Sequence, residues 1–333
     1  MTTLLELKEK LRQFYGKNEV YVTPILKFLL SLTVFLMINN SIGYMSAISK
    51  FPIAIILALV CSVISVNAMI IIAAFVMLLD FYALSLEVCL VAFILFLIVY
   101  FVYFKFSPKH GYNAVLLPVC FKLNIPYVMP VGSGLLNEVY SVFSVICGTV
   151  VYFFIHSVRQ NDTILSDAAE VSENSTSKIV IILNQLIGNK EMYLVLAIFT
   201  ATTLIVHLIR RMDIEYAWTV AIISGILFEA IGLIAGYMLL GITGKTIGVL
   251  IGSIISCAIA FVIQFLFFNV NYSRAERLQF EDDEYYYYVK AIPKSLVAGS
   301  DKQIKRFNST EDKEKFNKKR FAQEMDIDEN LLD

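Results

Sequence analysis

Two ionisable side chains, Glu229 and Lys122, stand out in this sequence because apolar residues surround each of them. Glu229 lies in the middle of TVAIISGILFEAIGLIAGYMLL (219–240), and an ionisable group at membrane depth commonly marks a transport pathway. One interpretation is a Lys122–Glu229 pair in a substrate or proton pathway. In the other, Lys122 reaches to the membrane interface and Glu229 is a protonated helix-packing residue. Asn39 and Asn40 could join such a polar cluster or hold helices together.

A second candidate is EDDEYYYY (281–288), four acids followed by four tyrosines. Consecutive side chains of a strand point to opposite faces, so the acids are poorly placed to chelate a metal. They also lack the EF-hand spacing. The aromatic and β-branched residues that follow predict a β-capable strip over 280–292. This strip could pack on the protein's own cytoplasmic loops or dock a partner by strand addition, through Tyr285, Tyr286, Tyr287 and Tyr288.

Signatures of enzymes and of metal or nucleotide sites are missing from the sequence. The five cysteines are scattered singly, without metal-ligand or disulfide spacing. GITGKT (241–246) ends like a P-loop, but Leu239 stands where the first glycine belongs. No GxSxG or HExxH occurs. The sequence therefore predicts a protein that is not an enzyme, has no catalytic residue, metal or cofactor, and does not bind nucleic acid.

Composition predicts an all-α integral membrane protein. The chain is 58% hydrophobic and 17% charged, whereas soluble domains are about 45–50% apolar and about 25% charged. Charge is concentrated in residues 269–333, which hold 12 Lys/Arg and 14 Asp/Glu. A spanning helix needs about 20 mostly apolar residues. We expect about eight transmembrane helices over 24–45, 51–67, 68–85, 87–106, 137–157, 191–209, 217–240 and 246–268.

Charge bias between loops predicts the orientation. Lysines and arginines cluster before the first span and after the fourth, sixth and eighth spans, and such clusters mark the cytoplasmic side. Residues 1–23 then form a cytoplasmic N-terminal amphipathic segment, 24–268 the membrane domain and 269–333 a charged cytoplasmic tail. The loop 158–190 lies outside, where its residues 177–188 could form an amphipathic helix.

Residues 113–136 do not fit an ordinary span. The segment contains Pro118, Pro126 and Pro130, and proline removes a backbone donor and breaks helices. Backbone groups freed at membrane depth must be shielded by protein or water. We therefore expect a re-entrant hairpin or broken helix entering from the cytoplasmic side. The alternative is a kinked full span, with nine crossings and the tail outside.

Two stretches, KFSPKHGYNAVLLPVCFKLNIPYVMPVGSGLL (105–136) and SRAERLQFEDDEYYYYVKAIPK (273–294), carry a family resemblance. Together they resemble uncharacterised multispanning, permease-like membrane proteins of clostridial and Lachnospiraceae-type bacteria. The resemblance implies a multi-pass protein of the bacterial plasma membrane and transfers no residue role.

Two functions remain open from the sequence. One is a transporter or permease-like protein of unknown substrate, working alone, as a homo-oligomer or with a separate ATPase subunit. The other is a non-transporting scaffold in the lipid bilayer, whose residues 281–333 recruit a cytoplasmic protein for envelope assembly, division or sporulation.

Overall fold

The computed structural model describes residues 2–165, 175–242, 244–268, 276–281 and 285–291. These residues form a helical bundle and one β-hairpin. The helices are α1 (Thr2–Ser41), α2 (Phe51–Val63), α3 (Val66–Leu84), α4 (Leu86–Phe106), α5 (Gly111–Lys122), α6 (Val128–Leu136), α7 (Ser141–Gln160), α8 (Asp162–Leu165), α9 (Ser175–Ile187), α10 (Lys190–Arg211), α11 (Ala217–Leu239) and α12 (Thr246–Phe267), and the strands are β1 (Glu276–Glu281) and β2 (Tyr286–Ala291).

Seven of the described helices are long and apolar enough to cross a membrane, namely α1, α3, α4, α7, α10, α11 and α12. The chain is therefore an all-α, multi-pass membrane protein. The predicted span 51–67 is shorter than expected, because α2 has 13 residues and a length of about 20 Å. Ser65 ends the connection by accepting a hydrogen bond from the Ala68 N–H (3.3 Å), an N-cap that starts α3.

The N-terminal segment is continuous with the first long helix. Backbone hydrogen bonding runs from Thr2 to Ser41, and non-helical dihedral angles at Asn18 kink the helix there. The predicted boundary between residues 23 and 24 therefore falls inside α1. The buried Lys8 amine donates to the carbonyls of Phe265 and Phe268, so the segment before the kink packs against the end of α12.

Helices α5 and α6 form a short hairpin over the predicted broken segment. Asn124 has a positive φ of 59°, and the Ile125 N–H bonds back to the Cys120 carbonyl (2.9 Å). This is the Schellman arrangement that ends a helix, with asparagine in the left-handed position. Pro126 follows and cannot continue α5. The chain then turns and α6 runs back.

The hairpin returns to the end of the bundle from which it started. Asn113, near the start of α5, donates to the Ser133 hydroxyl near the end of α6 (2.9 Å). At the opposite extreme, the Tyr127 ring packs against Phe199 (centroids 6.5 Å apart), ten residues into the 22-residue α10. The turn of the hairpin therefore reaches the middle of the bundle.

Cations gather at the end where the hairpin is based, which we call the cation-rich end. Lys105 lies in the last turn of α4 and Arg210 in that of α10. Lys27 donates to the carbonyl of Ile64, just beyond α2 (3.3 Å). Together with Lys8 at the end of α12, these contacts bring the ends of four helices to one side. We call the other side the far end.

At the far end, α9 covers α4 and α7. Ile182 and Leu186 are buried in the main apolar core, and the Asn161 amide donates to Gln185 (2.5 Å). The predicted helix over 177–188 is thus present as α9, packed on the bundle. Residues 166–174 of the same loop lie outside the described residues.

Strands β1 and β2 pair antiparallel, with Phe280 opposite Tyr287. Strand β2 falls within the predicted strip 280–292, whereas β1 begins before the strip and overlaps it only at its last two residues. The remainder of the tail 269–333, including Asp282–Glu284 of the acidic run, lies outside the described residues.

Candidate functional site

The base of the α5–α6 hairpin is held by a buried polar network. The Asn113 amide donates to Ser133 and to Ser144 of α7 (2.9 and 3.3 Å), and Ser133 bonds to Ser141 (2.8 Å). All four side chains are buried. Because each pairs with another, the network fixes α5, α6 and the start of α7 in one register.

Helix α10 also holds this base. The Arg210 guanidinium donates to the carbonyls of Leu135 and Asn137 at the end of α6, and the His207 ring bonds to the Asn137 carbonyl (3.2 Å). A cation at a helix C-terminus satisfies carbonyls that have no partner inside the helix. Arg210 also lies 5.9 Å from the Trp218 ring, which links α6, α10 and α11.

The most unusual side chain in the bundle is Glu229 of α11. It is only 1% exposed, and neither carboxylate oxygen has a hydrogen-bond partner among the described residues. An unpaired charge at this depth is very costly. The arrangement therefore stabilises either the protonated acid or a carboxylate that has captured a cation.

Hydroxyl groups lie at the level of Glu229 on neighbouring helices. The Thr219–Gln264 hydrogen bond (2.9 Å) sets the antiparallel register of α11 and α12, and Glu229 is ten residues from Thr219. The position ten residues before Gln264, about 15 Å along the axis of α12, is at the same level as Glu229. It lies between Ser253 and Ser256. Both serines are buried, and neither hydroxyl oxygen has a partner among the described residues. Neither hydroxyl is hydrogen-bonded to Glu229 in the described structure, so the carboxyl and both hydroxyls are unpaired polar groups at one level of the bundle.

Helix α10 approaches α11 closely beside this level. A Cβ atom at Gly225 would collide with Val206 and lie 3.8 Å from Thr202, and one at Gly232 would collide with Ile198. The Thr202 hydroxyl is also buried without a partner in the described structure. Glu229, Thr202, Ser253 and Ser256 are hereafter the Glu229 site.

Helix α6 closes the Glu229 site but does not neutralise a carboxylate there. The first N–H groups of α6, from Val128 and Met129, bond to the carbonyls of Ile125 and Pro126, and Pro130 has no N–H. The start of α6 therefore lacks the free donors with which a helix N-terminus binds an anion.

Lys122 does not reach Glu229, so of the two interpretations left open by the sequence, the Lys122–Glu229 pair is not formed in this structure. Lys122 lies in the last turn of α5 and is exposed. It lines a cavity enclosed by α1, α3, α4, α5 and α7. Glu229 lies on α11, which packs on α6, α10 and α12. The two helices of the hairpin thus separate the two residues, because α5 faces the cavity and α6 faces the Glu229 site.

The cavity holds about 650 Å³, within the range of small-molecule sites. Most of its wall is aliphatic or aromatic, with Phe96 and Tyr103 on α4 and Pro118 on α5. Polar side chains concentrate toward the far end, at Lys122 and at the last turn of α7, and no acidic residue is among the described residues that line it.

Asn39 and Asn40 are not brought to either site. Both lie in the last turn of α1 at the far end, where Asn39 is half-buried and Asn40 is exposed. The described residues that line the cavity include Ser41 but neither asparagine.

Sequence reasoning missed Asp80. It is fully buried and accepts a hydrogen bond from the Met45 N–H (3.1 Å). Its other oxygen has no partner in the described part of the chain. The aspartate fastens the loop after α1 onto α3, and only the tertiary contact reveals it.

Of the predicted docking tyrosines, Tyr285, Tyr286 and Tyr287 are 61%, 63% and 46% exposed. Tyr288 pairs with Gln279 across the β-hairpin. These tyrosines are distant in sequence from the Glu229 site and form a separate candidate surface.

The pKa of His110, in the loop between α4 and α5, is lowered by burial. Nearby Glu138 and a hydrogen bond with the Asn137 side chain oppose this shift, and Lys109 adds to it. Burial thus disfavours the charged form of His110, close to the base of the hairpin.

Comparison of the chain with protein-family models, with curated proteins and with solved structures found no match.

Proposed function

We propose that this protein is a proton-coupled transporter, in which Glu229 carries the coupling proton and the α5–α6 hairpin is the moving part. The observation that carries the proposal is the fully buried Glu229 carboxyl without a partner in the described structure. Intramembrane carboxyls of this kind serve as proton relays in pumps and transporters. Transporters also build their sites from discontinuous helices near the bilayer midplane, and α5 and α6 break in the middle of the bundle.

Proton coupling is favoured over permanent cation binding by the chemistry of the Glu229 site. The other candidate groups are neutral hydroxyls on α10 and α12, so a single carboxyl is the only titratable group among the four. Taking up and releasing one proton changes the charge of this site by one unit. That change alters how strongly the surrounding apolar helices pack around it.

We further propose eight crossings, with the hairpin re-entrant from the cytoplasm and both termini cytoplasmic in a bacterial plasma membrane. The cations gathered at the base of the hairpin support this orientation by the positive-inside rule. Cysteine labelling in intact cells tests it in a variant without the native cysteines. A cysteine replacing Ser175 should react with an impermeant reagent, and one replacing Ser300 should not. Reaction at Ser300 instead supports nine crossings.

Electrical recording from proteoliposomes on a solid-supported membrane tests the coupling. Acid steps should displace charge in the wild-type protein, and Glu229→Gln should abolish the signal because the amide cannot exchange a proton. Lys50→Gln, which removes an exposed cation between α1 and α2, is the matched control and should retain it. A response to sodium steps alone excludes protons as the coupling ion. Silence to both in the wild-type protein contradicts the transport proposal.

A second candidate function is a membrane scaffold that binds a cytoplasmic protein through the β-hairpin. The exposed tyrosines of β2 favour it, since a two-stranded sheet leaves strand edges to which a partner strand can add. Replacing Tyr285–Tyr288 with serine separates the two functions in cells. If this variant reaches normal abundance and loses the cellular phenotype while Glu229→Gln keeps it, the protein acts as a scaffold.

A further inference from the structure

We infer that the cavity between α1, α3, α4, α5 and α7 binds an amphiphile with an anionic, phosphate-type headgroup and an apolar chain. The inference deepens the proposed function by naming a substrate class, and it rests on that function only in calling the ligand a substrate. Binding itself is independent of transport.

The polarity of the cavity changes along its length. Toward the cation-rich end, its wall is formed by groups such as Ile70, Ala114 and Cys147. The Tyr103 hydroxyl at that end is already bonded to Asn67 and to the Pro108 carbonyl (2.6 and 3.0 Å). An apolar chain is therefore the ligand part that this end accommodates at no desolvation cost.

Positive charge is concentrated in the half of the cavity toward the far end. Lys122 projects from the end of α5, and His156 and Arg159 lie in the last two turns of α7. Four charged groups lie close enough to His156 to act on it electrostatically, namely Lys245, Glu191, Arg159 and Lys122. Neither Lys122 nor Arg159 has an ion pair among the described residues, whereas Lys245 at the same end is paired with Glu191 (2.5 Å). Two unpaired cations favour an anionic group, and guanidinium and ammonium groups both suit phosphate.

The cavity has the length and the opening that such a ligand needs. From Cys147 to Arg159 the lining of α7 extends about 18 Å along the helix axis, long enough for an extended chain below a headgroup. Phe75 and Phe93 line the cavity and are 60% and 54% exposed. The protein therefore leaves part of the cavity open among its apolar helices, and a molecule dissolved in the bilayer can enter it.

Native mass spectrometry of the full chain in neutral detergent tests the inference, with dioleoyl phosphatidylglycerol as the probe and dioleoyl phosphatidylcholine as the matched zwitterionic lipid. The wild-type protein should bind phosphatidylglycerol more tightly. The double variant Lys122→Gln/Arg159→Gln should lose at least about tenfold in that affinity, because it removes two hydrogen-bonding cations. Its affinity for phosphatidylcholine should not change. Ala74→Phe, which fills the apolar part, should weaken both lipids.

Controls separate this inference from its alternatives. Lys50→Gln removes an exposed cation at the far end, outside the cavity, and should leave both affinities unchanged. If Lys50→Gln loses as much affinity for phosphatidylglycerol as the double variant does, the lipid is attracted by surface charge and the inference is overturned. Displacement of phosphatidylglycerol by inorganic phosphate alone points to a free phosphate ligand and also overturns it, as does equal wild-type affinity for the two lipids. If the double variant unfolds, Lys122→Gln alone is measured. This assay measures lipid binding without transport, so a failure of lipid binding here and a failure of proton coupling in the electrical recording are distinguishable.

Discussion

A methyl group added at Gly134 tests whether the α5–α6 hairpin is fitted tightly against α10. A Cβ atom there would lie 2.8 Å from the backbone carbonyl oxygen of Thr203 and 2.8 Å from the Cβ atom of Val206. Neither atom belongs to a flexible side-chain end, so the helices must move apart. Gly132, on the same helix, is the matched control, because its Cβ would meet only Ile263 at an ordinary 3.7 Å.

The expected magnitude follows from comparing Gly134→Ala with Gly132→Ala. Each substitution gains about 1 kcal/mol of helix propensity, since alanine is favoured over glycine in a helix interior. Only Gly134→Ala adds overpacking, which costs about 1–3 kcal/mol. The difference between the two variants therefore isolates the overpacking cost of about 1–3 kcal/mol. At about 2 °C per kcal/mol for a chain of this size, it corresponds to roughly 2–6 °C in Tm.

Thermal unfolding in detergent, followed with a thiol-reactive fluorogenic dye, measures this difference. Cys61, Cys120 and Cys147 are buried and react when the bundle opens. Gly134→Ala should unfold at a lower temperature than Gly132→Ala, and Gly132→Ala should be at least as stable as the wild-type protein. Equal unfolding temperatures for the two variants refute the close packing of α6 on α10.

Three further predictions concern the hairpin base, the neighbouring His110 and the Glu229 site. Arg210→Met should lower the free energy of unfolding by about 2–4 kcal/mol, because it removes two charged hydrogen bonds. Arg211 is a neighbouring exposed cation, and Arg211→Met should change the free energy of unfolding little. Equal effects of the two substitutions in the dye-unfolding assay contradict the capping role of Arg210. The pKa of His110 is lowered in the folded protein, so below the ordinary value near 6.5 the unfolded chain binds more protons than the folded one. The free energy of unfolding should therefore fall as the pH drops through that value. A pH series of unfolding temperatures should show a weaker fall for His110→Gln than for the wild-type protein. Glu229→Leu should raise the free energy of unfolding by about 1–3 kcal/mol, because it removes an unsatisfied buried polar group. The same variant should show no proton-driven current. A variant that is less stable than the wild-type protein would show that the carboxyl has a structural role.

The helices and the break between α5 and α6 were predictable because their signals are local. Apolar runs about 20 residues long predict spanning helices, and the prolines of 113–136 mark the interruption. Asn124 followed by Pro126 is a sequence pattern that ends a helix whatever surrounds it. The short α2 is local as well, since Ser65 offers an N-cap between two apolar runs, but composition alone merged the cap into a span.

The pairing of side chains was not predictable because it depends on which face of a short helix points where. Lys122 and Glu229 are opposite charges in apolar surroundings, so an ion pair between them was one interpretation of the sequence. The turn at Asn124 instead places α5 and α6 on different sides, so the lysine faces the cavity and the carboxyl faces α10 and α12. Asp80 illustrates the same limit, since its partner is a backbone N–H 35 residues away.

The hairpin is held differently at its two ends, and this bears on how the proposed transporter works. Its base is fixed by directional contacts, the Asn113 network and the Arg210 cap. Its turn is packed by rings, with Phe121 stacked on Tyr152 (4.0 Å) and Tyr127 against Phe199. Hydrogen bonds specify one register, whereas ring contacts tolerate small shifts, so the hairpin has a fixed base and a tip that can be displaced. Any such displacement moves α5 against the cavity and α6 against Glu229 together. A proton at one face and a ligand at the other therefore act on the same element, and this is the physical requirement for coupling their binding.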